Sequence, residues 1–167
     1  MDLHSLYQLI QADLLLHGHQ YKIYVEIAAA LVLVYAGITD FRIFKIRNYV
    51  VLLLLILYVP FALLARSWFD ITLNVVFALI VFAGLLWFFA RGSIGGGDVK
   101  LMAVACLWVG VHCVLPFAIF LLLLIMVHVA AVRFGWAKTK TISGRNAISY
   151  APSIAGALIG VMLIGCL

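Results

Sequence analysis

Two aspartates in this sequence stand at the ends of long apolar segments. Asp40 ends the run AAALVLVYAGIT, and Asp98 begins the run VKLMAVACLWVG. Two carboxylates that converge can bind one water molecule, with one ionised to take its proton and the other protonated to donate to a carbonyl oxygen. The pair therefore suggests hydrolysis of a peptide bond, although solvation or capping at a helix end explains either aspartate alone.

Three glycines, Gly95, Gly96 and Gly97, come directly before Asp98. Because glycine has no Cβ, it permits positive φ and lets another backbone approach closely. We expect an extended peptide to lie against this stretch. A flexible helix start is the alternative explanation of a glycine run.

The helix dipole suggests different roles for the two carboxylates. Asp98 at a helix N-terminus has its anion favoured, whereas Asp40 near a C-terminus has its anion disfavoured. The hypothesis is that Asp98 is the base and Asp40 holds the proton.

The composition predicts a polytopic membrane protein of the all-α class. The chain has 167 residues, of which 68% are hydrophobic and 10% charged, and its mean hydropathy is +1.25. A soluble domain needs a more polar outer surface. Hydropathy predicts about six transmembrane helices, at 23–40, 49–65, 71–90, 98–111, 113–133 and 147–166.

Basic residues predict the orientation, because loops that face the cytoplasm carry the excess of Lys and Arg. Nine of the 11 basic residues fall in or beside alternate loops, at 40–48, 91–98 and 134–146, and only Lys22 and Arg66 lie on the other side. Both termini are therefore predicted outside, and both aspartates at the cytoplasmic edge.

The remaining residues predict little further chemistry. Residues 1–20 are expected to form a surface helix or a tail, ahead of a membrane domain at 21–167. The basic loops are expected to meet membrane lipid rather than nucleic acid. No cofactor and no metal are predicted, because His112 and His128 have no partner at ligand spacing. The cysteines, which form no CxxC pair, are interpreted as apolar packing residues: Cys106, Cys113 and Cys166.

With these residues in place, the sequence resembles the type IV prepilin peptidases, which are GxGD-type intramembrane aspartic peptidases. GGGDVKL at 95–101 matches the GxGD motif, and Asp40 in GITDFRIFKIRN matches the first aspartate block. ISYAPSIAGALIG at 148–160 is a weaker match to a proline-containing segment in the last span. Many members read Ile-Pro-Asn where this chain has Ile46, Arg47 and Asn48.

The resemblance implies that Asp40 and Asp98 are catalytic and that the enzyme removes a short basic leader from pilin-like precursors at the cytoplasmic face. Long members carry paired CxxC motifs in a region linked to methylation, so a peptidase without methyltransferase activity is expected. The size is similar to that of members serving Flp/Tad-type pili, and archaeal-type members are also short.

Several residues besides the aspartates are candidates for contacts with the substrate. Candidates besides the glycines are Lys100, Asn48, Tyr150 and Pro152. Each of these residues also has a structural explanation. Lys100 could mark the membrane interface, and Asn48 could cap a loop. Tyr150 could be a packed aromatic residue, and Pro152 could kink a helix.

Two other classes of function fit parts of the pattern. Aspartates and broken helices also build proton-coupled transporters and channels, although both aspartates here stand at one edge rather than at the midplane. A noncatalytic assembly partner that keeps the fold is the third possibility, and the presence of both aspartates argues against it.

Overall fold

The computed structural model describes residues 3–43, 47–92, 94–134, 140–142, 145–147 and 150–167. Lys45 and Lys138 of the predicted cytoplasmic loops lie outside the described residues.

Six helices and one short hairpin make up the described chain. The helices are α1 (Leu3–Ile43), α2 (Asn48–Ala65), α3 (Trp68–Ala90), α4 (Gly96–Val109), α5 (Val114–Arg133) and α6 (Ala151–Leu163). Between α5 and α6, β1 (Lys140–Ile142) pairs antiparallel with β2 (Arg145–Ala147). The prediction of a helical fold is confirmed, and the hairpin is an addition that hydropathy did not indicate.

Four helices among the described residues are long and apolar enough to cross a membrane: Gln20–Asp40 within α1, α2, α3 and α5. The other two are short, since α4 has 14 residues and α6 has 13. Such helices measure about 20 Å, against a hydrocarbon layer of about 30 Å. The membrane class is therefore supported, whereas the count of about six spans and the outside location of both termini stay predictions.

The two short helices form the centre of the bundle. Seven residues of α4 and seven of α6 are buried, against two in α3 and one in α5. α4 packs on α2, α3 and α6, and α6 also packs on α1 and α5. The long helices surround them with apolar side chains that remain exposed, as lipid-facing surfaces require.

Trp108 is the largest fully buried side chain. Its ring stacks on Phe61 with centroids 4.8 Å apart and meets Tyr58 edge-on at 5.9 Å. Its indole N–H donates to the Leu54 carbonyl oxygen at 3.1 Å. These contacts join the C-terminal part of α4 to α2.

Gly110 ends α4 in a conformation that only glycine adopts easily, with φ 66°. A Cβ at this position would lie 2.4 Å from the Asn74 side-chain oxygen, which accepts the Val111 N–H. Asn74 is fully buried on α3. Gly110 therefore allows α3 to pack tightly against the end of α4.

We expect Gly110→Ala to lower the free energy of unfolding by about 2 to 4 kcal/mol, because positive φ strain and a collision with Asn74 act together. Thermal unfolding of the purified protein in detergent measures the change. Gly84→Ala is the matched control, since its Cβ meets nothing within 4 Å and its helical backbone favours alanine. Equal unfolding midpoints for the two variants would contradict the expectation.

Candidate active site

Asp40 lies in the last turn of α1, which ends at Ile43. The residue is only 3% exposed, although it stands at the end of an apolar helix segment. A carboxylate in such a place is costly unless other polar groups surround it. Its burial argues against a merely solvated helix end.

Asp98 lies in the first turn of α4, where the sequence predicted it, with Gly95 as the helix cap. Its carboxylate turns back over Gly95, so that a Cβ there would lie 3.3 Å from Oδ2. The backbone N–H groups of Tyr150 and Ala151 lie close enough to this carboxylate to favour its anion. Asp98 thus joins the N-termini of α4 and α6, where unpaired backbone donors favour an anion.

The start of α6 also meets α1 close to Asp40. Gly37 lies one turn before Asp40, and a Cβ on Gly37 would be 3.7 Å from Pro152 Cα and 4.0 Å from Ala155 Cβ. The small residue lets the two helices approach closely. The structure therefore brings Asp40 and Asp98 together at the N-terminus of α6, near enough for their charges to interact.

The glycines before Asp98 differ from expectation in one respect. Gly95 has φ −70°, Gly96 and Gly97 are helical, and the positive-φ glycines among the described residues are Gly92, Gly110 and Gly165. The approach of a substrate backbone to these glycines stays a prediction, since their neighbours in the structure are side chains of the protein itself. A Cβ on Gly96 would lie 3.2 Å from the Phe89 ring, and a Cβ on Gly95 would crowd the Asp98 carboxylate.

Lys100 and Asn48 contact each other. The Lys100 Nζ donates to Asn48 Oδ1 at 3.1 Å, and both residues are exposed. Asn48 is the first residue of α2. Their contact ties the start of α2 to the first turn of α4, beside Asp98.

Tyr150 and Pro152 lie at the start of α6. Tyr150 is the N-cap residue and Pro152 stands in the first turn, where proline is tolerated, so the alternative of a helix kink is wrong. The sequence predicted Tyr150 and Pro152 as substrate contacts. In the structure, the backbone N–H groups of Tyr150 and Ala151 lie beside the Asp98 carboxylate.

A family model described as the type IV leader peptidase family matches residues 27–132, which is more than half of the chain. The chain belongs to this family. The match contains both Asp40 and Asp98, and it makes the protein a membrane peptidase. No curated protein and no solved structure matches the chain.

A tyrosine pair of this leader peptidase was not predicted. The hydroxyls of Tyr35 and Tyr49 lie 2.6 Å apart, and the Arg47 guanidinium is 5.7 Å from the centre of the Tyr49 ring. The pair lines a groove of about 230 Å³ between α1 and α2. The pair links α1 to the start of α2 near Asp40. The sequence motifs around Asp40 and Asp98 do not indicate this contact.

The interpretation of the cysteines is wrong for two of the three in the leader peptidase. Cys113 and Cys166 form a disulfide, which joins the turn before α5 to the segment after α6. Cys106 is a free, buried thiol, as predicted. Isolated cysteines 53 residues apart gave no pairing signal, because their proximity depends on how α4, α5 and α6 pack.

The same end of the leader peptidase holds other polar contacts. The imidazole Nε2 of His112 lies 3.6 Å from the Asp70 carboxylate, and the Lys22 Nζ lies 3.6 Å from the Glu26 carboxylate. Asp70 also accepts the Ser67 hydroxyl at the start of α3. This end is opposite the aspartates, since α4 carries Asp98 at its start and Gly110 at its finish.

Proposed function

We propose that this peptidase is an aspartic endopeptidase and that Asp40 and Asp98 are its catalytic pair. The observation that carries the proposal is the convergence of two carboxylates from α1 and α4 at the start of α6. Both are withdrawn from free solvent, Asp40 almost completely. Such an arrangement supports activation of water without a covalent enzyme intermediate.

In the proposed reaction, the ionised carboxylate of Asp98 takes a proton from water as the oxygen attacks the scissile carbonyl carbon. Asp40 donates its proton to the carbonyl oxygen, which gives a neutral tetrahedral intermediate. Collapse of this intermediate breaks the C–N bond as the proton held by Asp98 passes to the leaving amine. One hydroxyl of the intermediate returns its proton to Asp40, which gives the carboxylic acid product and restores the starting protonation of the pair.

The position of Asp98 at the N-terminus of α4, near the backbone N–H groups of Tyr150 and Ala151, supports Asp98 as the base. The helix dipole gives no such support for Asp40, since α1 continues past it to Ile43, and its role as proton holder is proposed from its burial, which disfavours a charge.

The family implies a pilin-like precursor as the substrate, and the proposed class is type IV or Flp. Its short basic leader would be cut beside the hydrophobic helix that holds the precursor in the membrane. The proposed substrate contacts are the exposed edge at Asn48 and Lys100, and the backbone around the helix starts at Gly95, Gly96, Gly97, Tyr150 and Pro152.

We propose that the aspartates face the cytoplasm of a bacterial inner membrane. Two independent features support this orientation. The basic loops lie at the aspartate end. The Cys113–Cys166 disulfide lies at the other end, and disulfides persist in oxidising compartments outside the cytoplasm.

The direct test is to co-produce the chain with tagged pilin-like precursors and to determine the new N-terminus of each by mass spectrometry. The expected result is loss of a short basic leader, with no loss when the chain is omitted. Proteoliposomes that move protons under an imposed gradient, together with no cleavage of any precursor, would instead favour the transporter. A noncatalytic partner would give neither result.

A further inference from the structure

Three buried polar groups at the end opposite the aspartates have no hydrogen-bond partner among the described residues. They are the Tyr58 hydroxyl, the Arg66 Nε and the Asn74 Nδ2. Tyr58 is 5% exposed and Asn74 is 0% exposed. Unpaired donors in such places cost folding free energy, so they point to a missing partner.

The three groups belong to one cluster. The Tyr58 hydroxyl on α2 lies near the Asn74 amide on α3, without a hydrogen bond of normal geometry between them, and near the Arg66 charge in the turn between these helices. The Tyr58 ring packs against Trp108, and the Asn74 amide lies against Gly110. The cluster therefore lies between α2, α3 and the end of α4.

Other contacts decide which atoms face the cluster. Val111 N–H donates to Asn74 Oδ1 at 3.2 Å, so the orientation of the amide follows from its partner and Nδ2 remains a donor. The Arg66 Nη2 donates to the Trp108 carbonyl at 3.0 Å, which leaves Nε. The protein thus holds these donors in place while leaving them unpaired.

The cluster has more donors than acceptors. Nδ2 carries two hydrogens, Nε one and the hydroxyl one, and the hydroxyl oxygen is the sole acceptor among these three groups. If Nδ2 donates once to that oxygen, three donors remain. A water molecule accepts two hydrogen bonds and brings two donors of its own, whereas an anion accepts all three.

The charge balance also favours an anion. Arg66 is permanently cationic. Asp70 is the acid that interacts with it, but the Asp70 carboxylate already accepts the Ser67 hydroxyl at 2.7 Å and faces His112. The burial of Tyr58 and Asn74 argues against a lipid headgroup as the partner and favours a small ion.

We propose that Tyr58, Arg66 and Asn74 form a binding site for a small inorganic anion of the halide class. The anion bridges α2, α3 and the turn between them, and it holds this end of the bundle against α4. The site lies at the opposite end from Asp40 and Asp98 and does not depend on the proposed function.

The test is equilibrium binding of radioactive chloride to the full chain, purified in detergent with gluconate as the only other anion. Saturable binding of about one chloride per chain is expected, with competition by bromide. Above the dissociation constant, each tenfold rise in chloride at constant ionic strength is expected to raise the unfolding midpoint by roughly 3 to 5 °C. Absence of saturable binding with identical midpoints in chloride and gluconate would overturn the site and leave water as the partner.

Two variants locate the site. Tyr58→Phe removes one donor with little change of shape and is expected to weaken chloride binding about five- to tenfold. Asn74→Asp replaces a donor by a negative charge and is expected to abolish binding. Tyr24→Phe, at an exposed position on α1, is the matched control with unchanged affinity. Chloride binding that survives in folded Tyr58→Phe and Asn74→Asp at the affinity of the control would place the anion elsewhere and overturn the assignment.

Discussion

Asp98→Asn and Asp40→Asn are each expected to reduce leader cleavage by about 10³-fold or more, because neither amide can replace the proton transfers of the pair. The double variant is expected to be no worse than the more damaged single variant, since the two carboxylates act as one unit. The comparison uses a precursor that the wild-type protein cleaves. Its initial cleavage rate with each variant is measured by mass spectrometry under single-turnover conditions.

These substitutions are suited to the test because asparagine has nearly the shape of aspartate. At Asp98, the amide retains one oxygen that can accept the N–H groups of Tyr150 and Ala151. At Asp40, which is 3% exposed, the change removes a buried ionisable group without creating a cavity. Both variants are therefore expected to fold, as judged by monodisperse purification and cooperative thermal unfolding.

Asp70→Asn is the matched control, since it makes the same chemical change at the opposite end of the bundle. It weakens the capping contact with Ser67, so a small loss of stability is expected with unchanged cleavage. Cleavage retained by folded Asp40→Asn or Asp98→Asn would contradict the aspartic mechanism. Equal loss in all three variants would show an effect of stability rather than chemistry.

The second large effect is expected from the disulfide. Cys113→Ser and Cys166→Ser each remove a crosslink that closes a chain segment of 53 residues. A loop of this length is worth about 4 kcal/mol in the chain-entropy view, which corresponds to a midpoint shift on the order of 10 °C. Thermal unfolding of the wild type with and without reductant, compared with the variants, measures the loss.

The Cys113→Ser/Cys166→Ser double variant provides the internal control, because it should match both single variants and should not respond to reductant. After mild reduction of sealed vesicles, a membrane-impermeant maleimide should label these two thiols only from the outer face. Labelling from the cytoplasmic side would show that the predicted orientation is wrong. A wild-type midpoint that reductant leaves unchanged would contradict the stabilising role.

Several properties of this protein could be predicted from the sequence because they depend on local composition. Apolar runs long enough to cross a bilayer indicate a membrane protein, and a carboxylate beside such a run is visible without any knowledge of packing. The placement of Asp98 at a helix start followed from the glycines before it. Membership of the peptidase family followed from the same motifs and is confirmed.

The tertiary structure decided which groups meet. That the backbone at Tyr150 and Ala151 reaches Asp98, that Lys100 reaches Asn48, and that Cys113 bonds to Cys166 all depend on the relative positions of separate helices. Hydropathy indicated a short fourth segment at 98–111, but it did not indicate that α6 is short or that α4 and α6 lie at the centre of the bundle. The physical reason is that hydropathy and charge report the environment of each segment, whereas contacts between segments depend on side-chain packing across the whole bundle.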